Sequence, residues 1–107
     1  MNTMPSADQP LGPIGDKILF ENDQVRVWSV NLAPGQRQGW HKHDLPYLIV
    51  PLTKGKNIMY FADGREKETN EAVGEVLWRE PGIPHELLNV SDWNYSNVLI
   101  EFKSAAR

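Results

Sequence analysis

Short hydrophobic runs separated by turn residues recur along most of the chain, and they predict β-strands rather than helices. The runs are rich in β-branched and aromatic residues, with proline, glycine, asparagine and aspartate between them. They fall at 17–20, 25–32, 47–52, 57–61, 76–78, 85–90 and 97–102. No window of about 11 residues has a convincing helical period. We therefore predict an all-β protein of about eight short strands, arranged as a small sandwich or barrel.

Three local features refine this picture. The run at 47–52 is almost continuously apolar, which is typical of a strand that is covered on both faces. Asp63 and Gly64 form a tight-hairpin signal. Residues 1–16, rich in proline and glycine, are predicted to form an irregular N-terminal arm, which is either disordered or laid across a neighbouring subunit. The rest of the 107-residue chain, residues 17–107, is long enough for one core and forms a single predicted domain.

Composition removes several classes of function. Eleven Lys and Arg against 14 Asp and Glu give a net charge of -3, and the cations are scattered, which argues against a nucleic-acid partner. The absence of cysteine excludes disulfides, zinc ribbons, iron–sulfur clusters and thiol catalysis. No apolar run approaches the roughly 18 residues of a membrane span, so no membrane association is expected. Residues 1–13 have no cation and no apolar stretch, so we expect no signal peptide and a cytoplasmic protein.

The chain contains three histidines, and their spacing suggests a metal site. In a strand, residues two apart point to the same face, so His41 and His43 would present two imidazoles side by side. His85 follows a turn rich in proline and glycine, and a neighbouring strand would bring it to the same point. An isolated His-x-His pattern also fits two surface histidines. Three converging neutral imidazoles would instead hold a transition metal and leave positions open for water or substrate.

The residues around these histidines resemble the two sequence motifs of the cupin superfamily. The first motif, G-x5-H-x-H-x3/4-E-x6-G, is matched by Gly35, His41 and His43. The second motif, G-x5-P-x-G-x2-H-x3-N, is matched by Gly74, Gly82, His85 and Asn89. The resemblance covers about residues 25–102, and the block 25–52 is similar to the small cupins associated with β-alanine degradation.

This resemblance implies a fold, a cofactor and an assembly. The fold is a cupin-type double-stranded β-helix, a jelly-roll barrel of roughly six to eight strands. The resemblance also implies one divalent transition metal per subunit, with Fe, Zn, Ni and Mn as candidates, held by His41, His43 and His85 inside the mouth of the barrel. It further implies a homodimer, commonly built by exchange of N-terminal strands.

The chain departs from the cupin motifs at three positions. Lys54 stands where the first motif ends in glycine, with Gly55 one place later, and Glu80 stands where the second motif has proline. Tyr47 stands where the first motif has its glutamate ligand. Three imidazoles cancel none of the charge of a divalent ion, so the site should favour an anionic ligand. Three interpretations of Tyr47 stay open: a fourth ligand, a hydrogen-bond donor or acid beside the substrate, or an aromatic that fills the barrel.

Other residues are weaker candidates. Residues proposed for the substrate pocket are Trp40, Trp78, Arg37 and Asn89, although Asn89 also fits a role in tying backbone. Candidates for holding a substrate carboxylate are Arg26, Arg37 and Arg79, although a lone arginine is more often a solvated charge. Asp44 and Glu86 each follow a motif histidine directly, so strand alternation should turn them away from the metal, towards solvent or a subunit contact.

The leading hypothesis is a metal-dependent enzyme, of oxygenase type, that acts on a small organic acid. Fe(II) held by three histidines would keep three octahedral positions open for substrate and oxygen, and Tyr47 would serve as a catalytic residue that donates a proton or steers oxygen. One alternative is a ligand-binding or accessory cupin without turnover, since a fold does not fix a function. Another is Zn-dependent isomerase or lyase chemistry.

Overall fold

Eight β-strands make up the regular structure of the protein. The computed structural model describes residues 11–103. The strands are β1 Lys17–Glu21, β2 Val25–Leu32, β3 Tyr47–Pro51, β4 Gly55–Phe61, β5 Glu66–Glu71, β6 Leu77–Arg79, β7 His85–Asn89 and β8 Tyr95–Phe102. This confirms the all-β prediction. Within residues 11–103 no helix has the length and apolarity that crossing a membrane requires.

The strands form two antiparallel sheets in a jelly-roll arrangement. The larger sheet has the order β1-β2-β8-β3-β6, and the smaller has the order β5-β4-β7. Strands that are distant in sequence lie next to each other, as β3 does beside β8, so non-local pairings dominate the topology. The two sheets are not hydrogen-bonded into one closed barrel. The cupin-type double-stranded β-helix predicted from the sequence is confirmed.

The inner face of the larger sheet meets the smaller sheet and carries the core. Along β8 the residues alternate strictly between buried and half-buried, with Tyr95, Asn97, Leu99 and Glu101 inward. Leu99 packs with Val30 of β2 and with Tyr47 of β3. A second cluster joins the two sheets and consists of Leu32, Leu87 and Tyr95. Because β2, β3 and β8 point alternate residues inward, the apolar core and the buried polar side chains, such as Asn97 and Glu101, share one interior.

One glycine is required by close packing in this interior. A Cβ atom on Gly55, the first residue of β4, would lie 2.6 Å from the Tyr95 ring and would also meet the Glu71 carboxylate. The first cupin motif ends in glycine at position 54, whereas this chain has its glycine one place later, at Gly55. The shift of one position therefore still places a glycine where the buried Tyr95 ring needs space.

The strand prediction was wrong in two places. It missed β5, because the segment Glu66–Glu71 is almost entirely polar and has no apolar alternation. The hairpin signal at Asp63 and Gly64 was the available evidence for it, since β4 and β5 do pair across that turn. The strand expected to carry His41 and His43 is also absent, and His41 makes a single isolated bridge instead.

The apolar run at 47–52 is covered on one face only within the chain. Tyr47 and Pro51 are buried, but Leu48 and Val50 are half-buried on the outer face and Leu52 is 55% exposed. The expectation of cover on both faces is therefore not met by a single subunit.

The described part of the N-terminal arm, residues 11–16, runs along its own chain. The Gly12 amide donates to the Trp40 carbonyl at 2.8 Å, and the Asp16 amide donates to the Ser29 carbonyl at 2.7 Å. Ile14 packs against the core. Residues 1–10 of the predicted arm lie outside the described residues.

Candidate metal centre

His41 and His43 lie on an extended segment between β2 and β3, and both side chains point inward. They are 1% and 2% exposed, whereas Lys42 between them is exposed. The alternation expected of a strand therefore persists without a strand ladder. Just before them, Gly39 has a φ of 98°, a left-handed conformation that favours glycine. The Gly39 carbonyl lies 2.9 Å from Nδ1 of His41 and fixes the orientation of that ring.

A pair of backbone hydrogen bonds places His85 directly opposite His41. The His41 amide donates to the His85 carbonyl at 3.0 Å, and the His85 amide donates to the His41 carbonyl at 2.9 Å. The ring centroid of His41 lies 5.0 Å from that of His43 and 4.6 Å from that of His85, and the remaining pair is 5.1 Å apart. One ring nitrogen from each histidine lies within 4.8 Å of the other two. The convergence of the three histidines predicted from the sequence is present in the structure.

The chemistry of this group fits a divalent transition metal. A carbonyl can only accept a hydrogen bond, so Nδ1 of His41 carries the proton and Nε2 keeps its lone pair for a ligand. Nδ1 of His43 is buried and has no hydrogen-bond partner among the described residues. Burying a nitrogen without a hydrogen-bond partner lowers the stability of the fold, and a bound metal ion would provide the missing partner. Three imidazole nitrogens suit Zn, Fe, Ni or Mn ions.

Burial keeps these imidazoles neutral, which is the form that binds metal. Desolvation lowers the pKa of His43 to about 2, with the neighbouring His41 and His85 adding to the effect. Desolvation likewise lowers the pKa of His85 to about 3, helped by His41 and Arg79. Burial also lowers the pKa of His41, against the opposing effect of the Gly39 carbonyl. The donor nitrogens are therefore available at neutral pH without the loss of a proton.

No carboxylate joins the three histidines among residues 11–103. Glu86 follows His85 but accepts from Nη1 of Arg37 at 2.6 Å. It is 3% exposed, so the expectation that Glu86 faces solvent is wrong within the chain: its ion pair with Arg37 allows it to be buried. Asp44, in contrast, is exposed and pairs with Lys42. A metal held here would keep its full +2 charge, because three neutral imidazoles cancel none of it.

Tyr47, at the position of the missing glutamate, stacks on one of the histidines. Its ring centroid lies 3.8 Å from that of His43 with an interplanar angle of 15°, and the residue is 2% exposed. Burial raises the pKa of Tyr47 to about 12, although the positive charge of Arg79 works in the opposite direction. The phenol is thus protonated at neutral pH and can donate a hydrogen bond into the site.

A cavity of about 310 Å³ leads to the histidines. Tyr47, Met59 and His85 line both this cavity and a smaller space of about 30 Å³ among the three histidines. The rest of the larger wall is formed by Phe61, Arg65, Lys67, Arg79, Glu80, Gly82 and Ile83. Three cations and one carboxylate give this wall a formal charge of +2, while the whole chain carries -3. The cavity therefore has an electrostatic preference for anions that the rest of the protein lacks.

The four residues predicted for the substrate pocket line neither space. Trp40 is 7% exposed, and its carbonyl accepts from Gly12. Trp78 is 50% exposed and donates from Nε1 to Glu80. Arg37 is paired with Glu86.

Asn89 is the fourth of these residues, and it ties backbone as the alternative interpretation predicts. Its Nδ2 donates to the carbonyls of Leu32 and Trp93, and Ser91 donates to its Oδ1.

The sequence reasoning missed most of the wall of the larger cavity. Met59 and Phe61 come from β4, Arg65 from the turn between β4 and β5, Lys67 from β5, and Ile83 from the loop before β7. Each lies far along the chain from His41 and His43, and no spacing rule connects them. The hairpin signal was the one available indication that β4 and the following strand form a continuous surface.

The antiparallel two-sheet fold, with a buried histidine trio at the end of a cavity, defines a jelly-roll protein whose three histidines could hold a metal ion. No family model matches the chain. The β-alanine degradation protein BauB of Pseudomonas aeruginosa is 31% identical over 86 residues, which are 80% of this chain and 90% of BauB. The chain therefore belongs to the same family as BauB.

Solved structures place this chain among the cupins, as its motifs predicted. A cupin domain from Bordetella pertussis superimposes with a TM-score of 0.76 at 27% identity, over 96% of this chain and 99% of that one. A Cupin 2 conserved barrel domain protein from Salinispora arenicola has a TM-score of 0.64 at 20% identity, over 98% and 91% of the two chains. The second comparison bears on the fold alone.

Proposed function

We propose that this cupin is a metal-dependent enzyme of oxygenase type that acts on a small organic acid. The observation that carries the proposal is the position of His41, His43 and His85 at the inner end of a cavity with a cationic wall. A divalent transition metal bound there would supply a Lewis acid of undiminished charge, which favours an anionic ligand and, for Fe(II), oxygen chemistry. BauB is named for the degradation of β-alanine, itself a small carboxylic acid, and this relationship supports the same substrate class.

The chain's own residues would perform three tasks in such a reaction. The Gly39 carbonyl orients the His41 ring and keeps its proton on Nδ1. Met59, Phe61 and Ile83 give the cavity an apolar portion that limits water around a bound ligand. The phenol of Tyr47, protonated because burial raises its pKa to about 12, donates a hydrogen bond from Oη to the bound acid.

Oxygen uptake tests the proposal directly. The chelator-stripped protein is loaded with Fe, Zn, Ni or Mn, and oxygen consumption is followed with a panel of small carboxylic acids. We expect uptake with iron and one or more acids, and none in a variant with alanine at His41, His43 and His85. Turnover without oxygen would instead favour the zinc isomerase or lyase. Ligand binding with no product under any metal would leave the non-catalytic cupin as the better description.

We also propose that the protein is a homodimer formed through the outer face of the larger sheet. One row of side chains crosses all five strands on that face, following the strand register: Phe20, Val27, Ile100, Leu48 and Trp78. Every member is apolar, although an antiparallel sheet usually places polar residues on its solvent face. Phe20 and Trp78, at the two ends of the row, are 55% and 50% exposed.

A second copy of the chain is the occupant that this face favours. A two-fold interface needs a surface that is complementary to itself, and an uncharged row that spans the whole sheet meets that need. Sedimentation should show a dimer at micromolar concentration, and Phe20→Lys should shift it towards the 12.2 kDa subunit. Val73→Lys, at a 66% exposed valine outside the sheet, serves as the control. A monomer in the unaltered protein would rule out this assembly.

A further inference from the structure

Three arginines are candidates for holding a substrate carboxylate, and two of them are already paired. Nε of Arg26 donates to Oε1 of Glu101 at 2.7 Å, with Glu21 3.7 Å away. Nη1 of Arg37 donates to Glu86 at 2.6 Å, and its guanidinium lies over the Tyr60 ring. Neither Arg26 nor Arg37 lines the cavity. Both therefore serve to neutralise buried carboxylates of the chain.

Arg79 differs from these two in place and in partners. It ends the short edge strand β6, directly opposite Tyr47 on the inner face of the sheet, and it lines the cavity together with His85. Its one side-chain hydrogen bond within residues 11–103 runs from Nη1 to the neighbouring Trp78 carbonyl at 3.2 Å, and it has no ion pair there. Arg79 is half-buried, so its charge is partly desolvated without a compensating anion.

Two carboxylates lie close to Arg79 in strand register or in sequence, and both are held by other residues. Glu101 lies on the same inner row, beyond Tyr47, but accepts from both Arg26 and Trp28. Glu80, which follows Arg79 in the chain, accepts from Nε1 of Trp78. The guanidinium thus keeps most of its five donors for a ligand in the cavity.

The other two cations of the wall are less suited to this role. Arg65 already pairs with Asp63 at 2.7 Å, stacks on the Phe61 ring, and has a side chain that is 65% exposed. Lys67 is exposed to solvent and offers a point charge rather than a fork that matches a carboxylate. Arg79 is the cation of the wall that lies next to the histidines. It pairs with Tyr47 across the strands, and its positive charge acts to lower the pKa of both Tyr47 and His85.

We infer that Arg79 binds the carboxylate of a short-chain carboxylic acid whose opposite end points towards His41, His43 and His85. Two parallel hydrogen bonds from a guanidinium to a carboxylate fix direction as well as position. Met59, Phe61 and Ile83 then contact the short carbon chain between the two ends. This inference rests on the proposed function for the identity of the far end, but the carboxylate site itself needs no metal.

A fluorine probe tests this site on the metal-free protein. Binding of 3,3,3-trifluoropropionate is followed by ¹⁹F NMR, with the uncharged 3,3,3-trifluoropropionamide as the matched compound. We expect saturable binding of the acid that Arg79→Gln weakens by about tenfold or more. Arg79→Lys should give an intermediate affinity, because a lysine keeps the charge and loses the fork. The control variant Lys56→Gln removes an exposed cation outside the cavity wall and should change the affinity by less than about twofold.

Three results would overturn the inference: no saturable binding of the acid, equal affinity of the unaltered protein and Arg79→Gln, or an amide that responds to Arg79→Gln as strongly as the acid does. Amide NMR spectra show whether Arg79→Gln is folded. If it is not, the affinity of Arg79→Lys and the comparison of acid with amide decide whether Arg79 binds the carboxylate. Metal content and oxygen uptake of the unaltered protein are measured separately. Acid binding without turnover would then contradict the proposed function and leave the carboxylate site standing.

Discussion

His85 and Asn89 occupy the two ends of β7, both are buried, and both belong to the same sequence motif, yet they are used in opposite ways. Asn89 donates from Nδ2 to the carbonyls of Leu32 and Trp93 at 2.9 and 2.8 Å, and its Oδ1 accepts from the Ser91 amide and hydroxyl. All of its polar atoms are engaged with its own chain. The ring of His85 lies among other rings, those of His41, His43 and Phe61, and faces the cavity.

This difference separates a residue whose polar atoms hold the fold from one whose ring is available to a ligand. A buried side chain whose polar atoms are all satisfied within the chain stabilises the structure and has no capacity left for binding. A buried imidazole that contacts rings rather than hydrogen-bond partners costs stability unless a ligand uses its lone pair. The two ends of one strand should therefore respond in different ways to mutation, pH and metal.

The largest effect on stability is expected at the Asn89 end. Asn89→Ala removes donors from two backbone carbonyls and an acceptor from Ser91, in a position that is 0% exposed. Each buried polar group left without a hydrogen-bond partner costs about 1–3 kcal/mol. The free energy of unfolding, measured by urea denaturation, should therefore fall by about 3–5 kcal/mol. Asn70→Ala, on the exposed part of β5, should change it by less than about 0.5 kcal/mol. Equal effects of the two variants would show that Asn89 does not hold the fold.

The histidine end should instead make stability depend on pH. Burial lowers the pKa of His43 to about 2 and that of His85 to about 3 when the protein is folded, whereas an unfolded histidine titrates near 6.5. The unfolded state therefore binds more protons below pH 6.5, and the free energy of unfolding falls as the pH decreases. For the metal-free protein we expect a loss of about 4 kcal/mol between pH 7 and pH 5, which is about 2 kcal/mol for each of the two histidines.

His43→Gln is the matched variant for this measurement, and it should reduce the pH dependence in that window by about half, because His85 keeps its own contribution. Hydrogen bonds from Lys103 and from the Arg65 amide lower the pKa of Glu21 and of Asp63, which moves the titration of these carboxylates further from this pH window. A stability that stays constant from pH 7 to pH 5 in the metal-free protein would mean that the histidines are not kept neutral by burial.

A smaller effect on stability is expected at Tyr47, beside the histidines. Tyr47→Phe keeps the ring that stacks on His43 and removes only the hydroxyl, so the free energy of unfolding should change by less than about 1 kcal/mol. Metal should remain bound, with an affinity reduced by a factor of about 10 to 100 at most, while turnover or substrate affinity is lost.

Tyr60→Phe, at a tyrosine beneath Arg37 and outside the cavity wall, is the control and should leave all of these quantities unchanged. Loss of the metal, or of a visible charge-transfer band in the ferric protein, would instead show that Tyr47 is a phenolate ligand. A Tyr47→Phe protein that is unaltered in metal content and turnover would show that the residue only packs.

The sequence was sufficient to predict the parts of this molecule that follow short-range rules. Alternation and turn residues predicted most strands, and motif spacing brought His41, His43 and His85 together. The exposed strand β5 was missed because Glu66–Glu71 buries little and so needs few apolar residues. The burial of Glu86 and the position of Arg79 at the cavity depend on which strands pair and in which register. A single sequence does not determine that register, since it is set by contacts between segments far apart in the chain.

Metal content measured by elemental analysis is the most direct test of the account. The protein is stripped with a chelator, incubated with an equimolar divalent transition metal, and freed of excess metal before its metal-to-subunit ratio is determined. The account predicts a ratio near one for the unaltered chain and for Asn70→Ala. Replacing His41, His43 or His85 by alanine should each remove most of the metal, and the triple variant should bind none at this site. Full occupancy in the triple variant would contradict the assignment of the metal centre.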